Sequence, residues 1–345
     1  MSSALRSQTP PSEGVSPSPA RFFQVMHAYQ QTAALKAAIE LDLFTAIAEG
    51  LGTAALLSHR IRASERGTRA LCDFLVVLGF VTKTEGSYSL TTDSAFFLDK
   101  KSPAYIGAAT RFLASPEITG AYNNFAAIVR AGGPPPHGDI GEGEREVWVD
   151  FARGMGPMSR VVAELTEKVI HSDSGIKVLD LAASHGMYGI AVARHNPKAK
   201  IVAADWPSVL EVAKENATRA GVADRLTLLP GDLLKVPFGT GFDLVLVPNL
   251  LHMWDRDTIH TMLLKIHAAL VPGGRIVIVE FVTNEDRVSP PGAASFIMNM
   301  AANTTGGNVY TGAEYREMLT RAGFSGLYAT PLPPAEHTVI VAVKR

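Results

Sequence analysis

The chain has 345 residues, 47% of them apolar and 19% charged, and its 32 Lys+Arg against 33 Asp+Glu give a formal charge of −1. That length corresponds to about two domains. The even balance lacks the basic excess that non-specific nucleic-acid binding or polybasic membrane association requires. The one cysteine, Cys72, excludes an intrachain disulfide and a Cys-based zinc site and fits a reducing compartment.

Residues 1–20 are rich in Ser and Pro and lack the basic start and apolar run of a secretory signal. They read as a disordered leader with too little apolar surface to order itself. No apolar run approaches the roughly 18 to 20 residues that span a bilayer. A soluble, cytoplasmic protein is expected, with no membrane partner.

Residues 21–130 predict a mainly helical domain. Val25, Tyr29, Leu35, Ile39, Leu43 and Ile47 recur at helical spacing, which predicts one amphipathic helix over 22–49. A second helix covers 53–60. A third covers 64–78, opened by Ser64 with Glu65 in its first turn. Two β-prone runs around Glu85-Gly86 make a hairpin. Three helices and a hairpin outline a winged helix with a helical extension. Arg60, Arg62, Arg66 and Arg69 give the third helix a basic fringe, which invites a DNA-binding reading. The run Cys72, Phe74, Leu75, Val76, Val77 and Leu78 is too apolar for one buried stripe and suits a subunit interface instead. A homodimer without nucleic acid is expected. Gly132-Gly133 and Pro134-Pro135-Pro136 mark 131–147 as a linker.

From 148 to 345 the pattern alternates. Strands are predicted at 177–182, 200–205, 226–230, 242–247 and 275–281, separated by helices ending near 195, 220 and 270. This predicts a parallel sheet with helices on both faces. A helix at 312–322 and strands at 326–329 and 337–343 add an antiparallel edge pair.

Ligands of open α/β sheets sit beyond the carboxyl ends of the strands. There the first strand turns through Asp180-Leu-Ala-Ala-Ser-His-Gly186, whose small side chains let a ligand approach backbone N–H groups. Asp205 ends the second strand, where a carboxylate can accept both hydrogens of a ribose diol. Asp232 ends the third, where an adenine amino group finds an acceptor. Acids at exposed strand ends need no ligand to explain them, so this pattern alone leaves a plain strand–turn–helix open. The G-x-G-x-x-G of dinucleotide sites is absent, since position 182 is Ala and 184 is Ser, which counts against a nicotinamide oxidoreductase. Strand four leads to His252 and strand five ends at Glu280. A carboxylate on one ring nitrogen would fix the tautomer and raise the basicity of the other. A buried, hydrogen-bonded strand-end histidine is the alternative. The other histidines, including His171, His195, His260 and His267, read as surface or helix residues.

Together these residues resemble the small-molecule O-methyltransferases that use S-adenosylmethionine, plant phenolic and bacterial antibiotic-pathway enzymes with an N-terminal winged-helix dimerisation domain. Phe151-Ala-Arg-Gly-Met155-Gly-Pro-Met-Ser159 matches that family's F-x-x-x-M-x-x-x-S helix, Gly231-Asp232-Leu233 its adenine-edge motif, and Leu251-His252-Met253-Trp254-Asp255 its catalytic segment. Gly306-Gly307 and Thr311-x-x-Glu-Tyr315 align with its C-terminal pattern. The resemblance implies a Rossmann-like α/β fold: a seven-stranded class I methyltransferase sheet, mostly parallel with an antiparallel C-terminal edge. It implies His252 as general base oriented by Glu280. It implies S-adenosylmethionine held by Ser159, Asp180, Ala182, Ser184, Gly186, Asp205, Trp206, Gly231, Asp232, Leu233 and Asn249. It implies a small hydroxylated acceptor walled by Phe151, Met155, Trp254, Phe296 and Met298, with polar contacts from Asn299 and Asn303, and no metal. Ala182, Ala183 and Ser184 replace family glycines, Pro248 replaces a lysine, and Val309 replaces a second acid. The base therefore has one carboxylate to orient it. Carbon or nitrogen as acceptor atom, or a repurposed cofactor-binding relative that does not methylate, are the competing readings.

Overall fold

A computed structural model describes residues 17–135, 138–170 and 175–345. The chain forms two compact units, Met1–Ala95 and Phe96–Arg345. Residues 1–16 of the predicted leader, and His171, lie outside the described residues.

In the first unit the helix expected over 22–49 is three helices, Ala20–Met26, Ala28–Glu40 and Leu43–Ala48. The chain breaks at His27 and again at Asp42, whose φ of 57° is left-handed. A short polar side chain tolerates that conformation best after glycine. The apolar stripe divides with the backbone: Ile39, Leu43 and Ile47 are buried, whereas Phe22, Val25 and Tyr29 are exposed. Helices Ala54–Ile61 and Glu65–Val77 follow, capped by the side chains of Thr53 and Ser64. Strands β1 (Val81–Thr84) and β2 (Ser87–Leu90) pair antiparallel. Their turn residues Glu85 and Gly86 have φ of 49° and 81°, as a two-residue hairpin turn of the primed type requires. Of the basic fringe, Arg60 pairs with Glu49 and Arg69 with Glu65. Cys72 and Leu75 are buried, while Val77 is 79% exposed.

In the second unit short helices, Thr110–Leu113, Pro116–Thr119 and Phe125–Ala131 among them, precede the helix Glu146–Ile170. The strands are β3 (Lys177–Leu181), β4 (Lys200–Asp205), β5 (Leu226–Pro230), β6 (Phe242–Pro248), β7 (Leu270–Phe281), β8 (Phe324–Pro331) and β9 (His337–Lys344). They form one seven-stranded sheet in the order β5-β4-β3-β6-β7-β9-β8. β3 to β7 run parallel; β9 is antiparallel to β7 and β8 to β9. β7 starts five residues before the predicted Arg275, because Leu270 pairs with Phe242 and the Val271–Gly274 turn is absorbed as a register shift.

Alternate strand residues build two cores. Leu179, Val245, Val247, Ile276 and Ile278 pack on the face carrying the helices Arg256–Ala269 and Gly312–Arg321. Val178, Leu244, Leu246, Val277 and Val279 pack on the face carrying Glu146–Ile170 and Met187–His195. A strand buried on both faces reads as a continuous apolar run, as these do. Strand order reverses between β3 and β6, which opens a crevice at their carboxyl ends.

Candidate active site

The loop after β3 fills that crevice. Ala182, Ser184 and Gly186 all have left-handed backbones, with φ of 50°, 52° and 75°. Side chains with a Cβ resist this region by about 1–2 kcal/mol per residue. The loop is held against that resistance by named contacts. Ala183 N–H donates to Ala204 O at 3.2 Å, and Ser184 N–H to Asp205 Oδ2 at 2.8 Å. Gly186 opens the helix Met187–His195, and a Cβ there would lie 3.1 Å from Ala213 Cβ. Relieving one strained residue should stabilise the fold: Ala182→Gly raises unfolding free energy by about 1 kcal/mol, read by denaturant melts, while S-adenosylhomocysteine affinity stays within a few-fold.

Three carboxylates end three strands. Asp205 is buried, with Oδ1 taking the Trp206 N–H at 2.7 Å. Burial pushes its carboxyl up to about 6, against the lowering effect of the Trp206 and Ser184 N–H groups. Asp180 is 1% exposed; Oδ2 accepts from Gly189 N–H at 2.9 Å and Oδ1 is buried without a hydrogen-bond partner. Burial pushes this carboxyl up to about 8. The folded chain therefore binds a proton here that the unfolded chain has released, and folding stability falls as pH rises through this window. From about pH 6 to 8 the loss is about 2 kcal/mol, and Asp180→Asn flattens it; melts at the two pH values measure both. Asp232 is half-buried beside Lys235 Nζ at 2.8 Å. Burial raises its carboxyl, but the Lys235 ammonium and the Leu234 N–H prevail and hold it below the ordinary range.

The remaining residues assigned to the cofactor divide between crevice and core. Gly231, with φ of 145°, links β5 to Asp232. Asn249 follows β6 with φ of 51°, its N–H bonded to Val279 O at 2.8 Å. Ser159 is buried on the helix Glu146–Ile170. Trp206 packs with Val209 and Val212, whereas Leu233 belongs to the larger core. The buried, unpartnered Ser184 Oγ and Asp180 Oδ1 and the crevice carboxylate of Asp205 suit a ligand with a ribose and polar amino-acid groups. S-adenosylmethionine is such a ligand.

His252 and Glu280 lie together at the ends of β6 and β7. His252 Nδ1 is 2.7 Å from Glu280 Oε2, and its backbone N–H donates to Oε1 at 3.3 Å. Both residues are buried, Glu280 completely. The His252 carbonyl accepts from Asn308 N–H at 2.9 Å, and Gly307 passes so close that a Cβ would lie 2.6 Å from that oxygen. Phe296 meets the His252 ring edge-on at 5.0 Å and lies tilted against the Phe281 ring at 4.5 Å. Phe151 packs with Phe112, Trp148 and Met253, and lies near-parallel to the His185 ring at 6.3 Å. Met155 is half-buried on the same helix as Phe151. Trp254 packs against the larger core. Asn303 Nδ2 donates to Asn299 Oδ1 at 2.8 Å and leaves its own Oδ1 buried without a partner. Met298, 47% exposed, stands on a different side of its helix from Phe296.

Two histidines correct the sequence reading. His185 is neither on the surface nor in a helix; it is 3% exposed in the loop after β3. Its Nδ1 accepts from Met187 N–H at 3.2 Å, and burial pushes it down to about 4, so it is neutral. His337 is on β9, its Nε2 3.0 Å from Asn249 Oδ1. His185 packs against Phe151 and Tyr188, and the half-buried His337 against Phe281 of β7, which no local pattern announces. Among the described residues, no group of three His, Cys, Asp or Glu side chains is arranged to hold a metal ion, and no helix is long and apolar enough to cross a membrane.

This strand order, with carboxylates ending the central strands around a tight crevice loop, is that of a Rossmann-like class I methyltransferase domain. The O-methyltransferase domain family matches residues 128–325, and the O-methyltransferase dimerisation domain matches residues 23–100. The chain belongs to the S-adenosylmethionine-dependent O-methyltransferases. It is 47% identical to a protein of solved structure from Nostoc punctiforme, with a TM-score of 0.92 over 95% of this chain and 100% of that one. It is 29% identical to 3-hydroxy-5-methyl-1-naphthoate 3-O-methyltransferase of Streptomyces sahachiroi, over 91% of this chain and 92% of the relative. Human N-acetylserotonin methyltransferase, solved with S-adenosylmethionine, shares the fold at 24% identity, with a TM-score of 0.82 over 96% of this chain and 99% of that one.

Proposed function

We propose that the enzyme methylates a hydroxyl group of a small aromatic secondary metabolite, with His252 as general base and Glu280 as its orienter. The 2.7 Å contact between His252 Nδ1 and Glu280 Oε2 carries this reading. A buried carboxylate on Nδ1 places the ring proton there and leaves Nε2 as the free acceptor. When bound, S-adenosylmethionine supplies a sulfonium methyl group open to in-line displacement. Nε2 takes the acceptor's hydroxyl proton, and Glu280 stabilises the imidazolium that results. Such a base contributes about 10²- to 10⁴-fold. The ribose diol is assigned to Asp205, the adenine edge to Asp232, and the amino-acid end to the loop 180–186. Phe151, Met155, Phe296 and the Asn299–Asn303 pair are assigned to the acceptor. Aromatic and Met side chains give a flat ring an adaptable, dry wall. The naphthoate relative and the aromatic cluster of Phe112, Trp148 and Phe151 support an aromatic acceptor.

The dimerisation-domain match and the exposed Phe22, Phe23, Val25 and Tyr29 support a homodimer formed through the N-terminal domain. The single, buried Cys72 supports a cytoplasmic location. The test is a panel of hydroxylated aromatic acids incubated with enzyme and S-adenosylmethionine. Products methylated on oxygen are expected. Methyl transfer to carbon or nitrogen alone would overturn the reading.

A further inference from the structure

Residues 139–145 lie in the glycine- and proline-rich stretch whose composition marks a linker, yet they are fastened to both sides of the base. Asp139 is 5% exposed, and both of its carboxylate oxygens are engaged. Oδ1 accepts the Gly141 N–H at 2.7 Å. Oδ2 accepts the Thr305 N–H at 2.8 Å and the Thr305 hydroxyl at 2.6 Å. A charged acceptor strengthens each of these bonds. Beside them, Ile140 N–H donates to Asn303 O at 2.9 Å, and Arg145 donates to Asp139 O at 2.9 Å.

One side of this clamp is the loop that follows the helix Pro291–Asn303. Thr304 Oγ1 accepts the Gly307 N–H at 3.0 Å, and Asn308 N–H donates to the His252 carbonyl. Gly306 passes as closely as Gly307 does: a Cβ on it would lie 3.1 Å from Asp255 N. The loop 304–308 therefore rests directly on residues 252–255, and Thr305 within it is tied down by Asp139. The other side is aromatic. Ile140 O accepts the Trp148 indole N–H at 3.1 Å, and the Trp148 and Phe151 rings meet edge-on at 6.0 Å. A Cβ on Gly141 would lie 3.4 Å from Met253 Cε, next to the base itself.

We propose that Asp139 is a positioning residue for the general base: by clamping Thr305 it seats the loop 304–308 on the His252 carbonyl, and the same turn holds Trp148, and with it Phe151, in place. The proposal rests on the reading of His252 as the base. None of these bonds reaches the loop 180–186 or Asp205, so the loss of Asp139 acts on the acceptor side and spares donor binding.

The experiment compares the wild-type enzyme with Asp139→Ala, Thr305→Val, Thr305→Ser and Arg225→Leu. Arg225 bonds Ala193 O and Asn196 O where the helix Met187–His195 ends, away from the loop that opens it, and its variant is the destabilised control. Each protein is followed by thermal melts, by calorimetry with S-adenosylhomocysteine, and by kcat and acceptor KM with the best acceptor of the hydroxylated aromatic acids. Proton NMR reads the His252 Nδ1–H in its bond to Glu280, assigned by its loss in His252→Ala. Asp139→Ala should lower kcat about tenfold, raise the acceptor KM and shift or broaden the His252 signal, with S-adenosylhomocysteine affinity within about twofold. Thr305→Val keeps the N–H and loses the hydroxyl, and should lower kcat about threefold. Thr305→Ser should behave as wild type. Arg225→Leu should melt earlier with kcat and the signal kept. Unchanged kcat and signal in Asp139→Ala, a fall in S-adenosylhomocysteine affinity that matches the fall in kcat, or an equal loss of kcat in Arg225→Leu would overturn the proposal. Should Asp139→Ala not fold, Thr305→Val decides by the same readings. Absence of the His252 signal from the wild-type enzyme would instead strike the His252–Glu280 reading, and the proposal would fall with it.

Discussion

His252→Ala lowers kcat by about 10²- to 10⁴-fold while S-adenosylhomocysteine affinity stays within about twofold. The ring contacts Glu280 and Phe296, and none of the residues assigned to the cofactor is its hydrogen-bond partner. Loss of the base should therefore appear in the chemical step. Glu280→Gln gives a similar fall by a different route. The carboxylate only accepts and so dictates an Nδ1 proton; an amide satisfies either tautomer, and the one protonated at Nε2 is no base. Glu280→Ala adds a stability cost, because the His252 Nδ1–H and its backbone N–H both lose a buried acceptor, at about 1–3 kcal/mol each. Single-turnover rates with thermal melts separate the two effects. A His252→Ala enzyme that keeps its kcat would remove the base from the account.

Asp205→Ala weakens S-adenosylhomocysteine binding by about 10²-fold or more. The carboxylate is assigned two tasks. It accepts the Ser184 N–H at 2.8 Å and so holds the strained loop shut, and its remaining lone pairs are offered to the ribose. Removing it costs at least one charged hydrogen bond of about 1.5–3 kcal/mol and leaves the Ser184 and Trp206 N–H groups buried without their acceptor. Asp205→Asn keeps one acceptor and should lose about tenfold. Burial pushes the carboxyl up to about 6, so the ionised form that a ribose prefers grows in as pH rises. Wild-type affinity should rise between about pH 5 and 7, and Asp205→Asn should show no such rise. Calorimetry across that range reads both. An affinity independent of Asp205 would move the ribose elsewhere.

What the sequence made legible follows from locality. β4 and β5 have the bounds expected of them, Lys200–Asp205 and Leu226–Pro230, because each is a β-prone run ended by a polar or Gly-containing turn. His252 and Glu280 could be paired in advance because parallel strands place their carboxyl ends side by side. The losses are equally specific. The stripe over 22–49 keeps helical spacing through His27 and Asp42, so periodicity cannot report the two breaks. Helices as short as Thr110–Leu113 and Pro116–Thr119 are below the length at which a period is visible. His185 is buried by Phe151 and Tyr188, and His337 is placed by the antiparallel return of β9 onto β7. Alanine and serine at 182 and 184 carry Cβ atoms that resist the backbone angles glycine permits. The chain adopts those angles regardless, because the Asp205 and Ala204 acceptors offset the strain.

The strained loop is where the account is most exposed, and titration of the purified protein with S-adenosylhomocysteine, with NAD as control, tests it most directly. Micromolar binding of S-adenosylhomocysteine and none of NAD is the predicted result, and would show that Ala182-Ala183-Ser184 makes a working cradle. Absence of S-adenosylhomocysteine binding by the folded protein would contradict the account and leave the methyltransferase architecture without its cofactor.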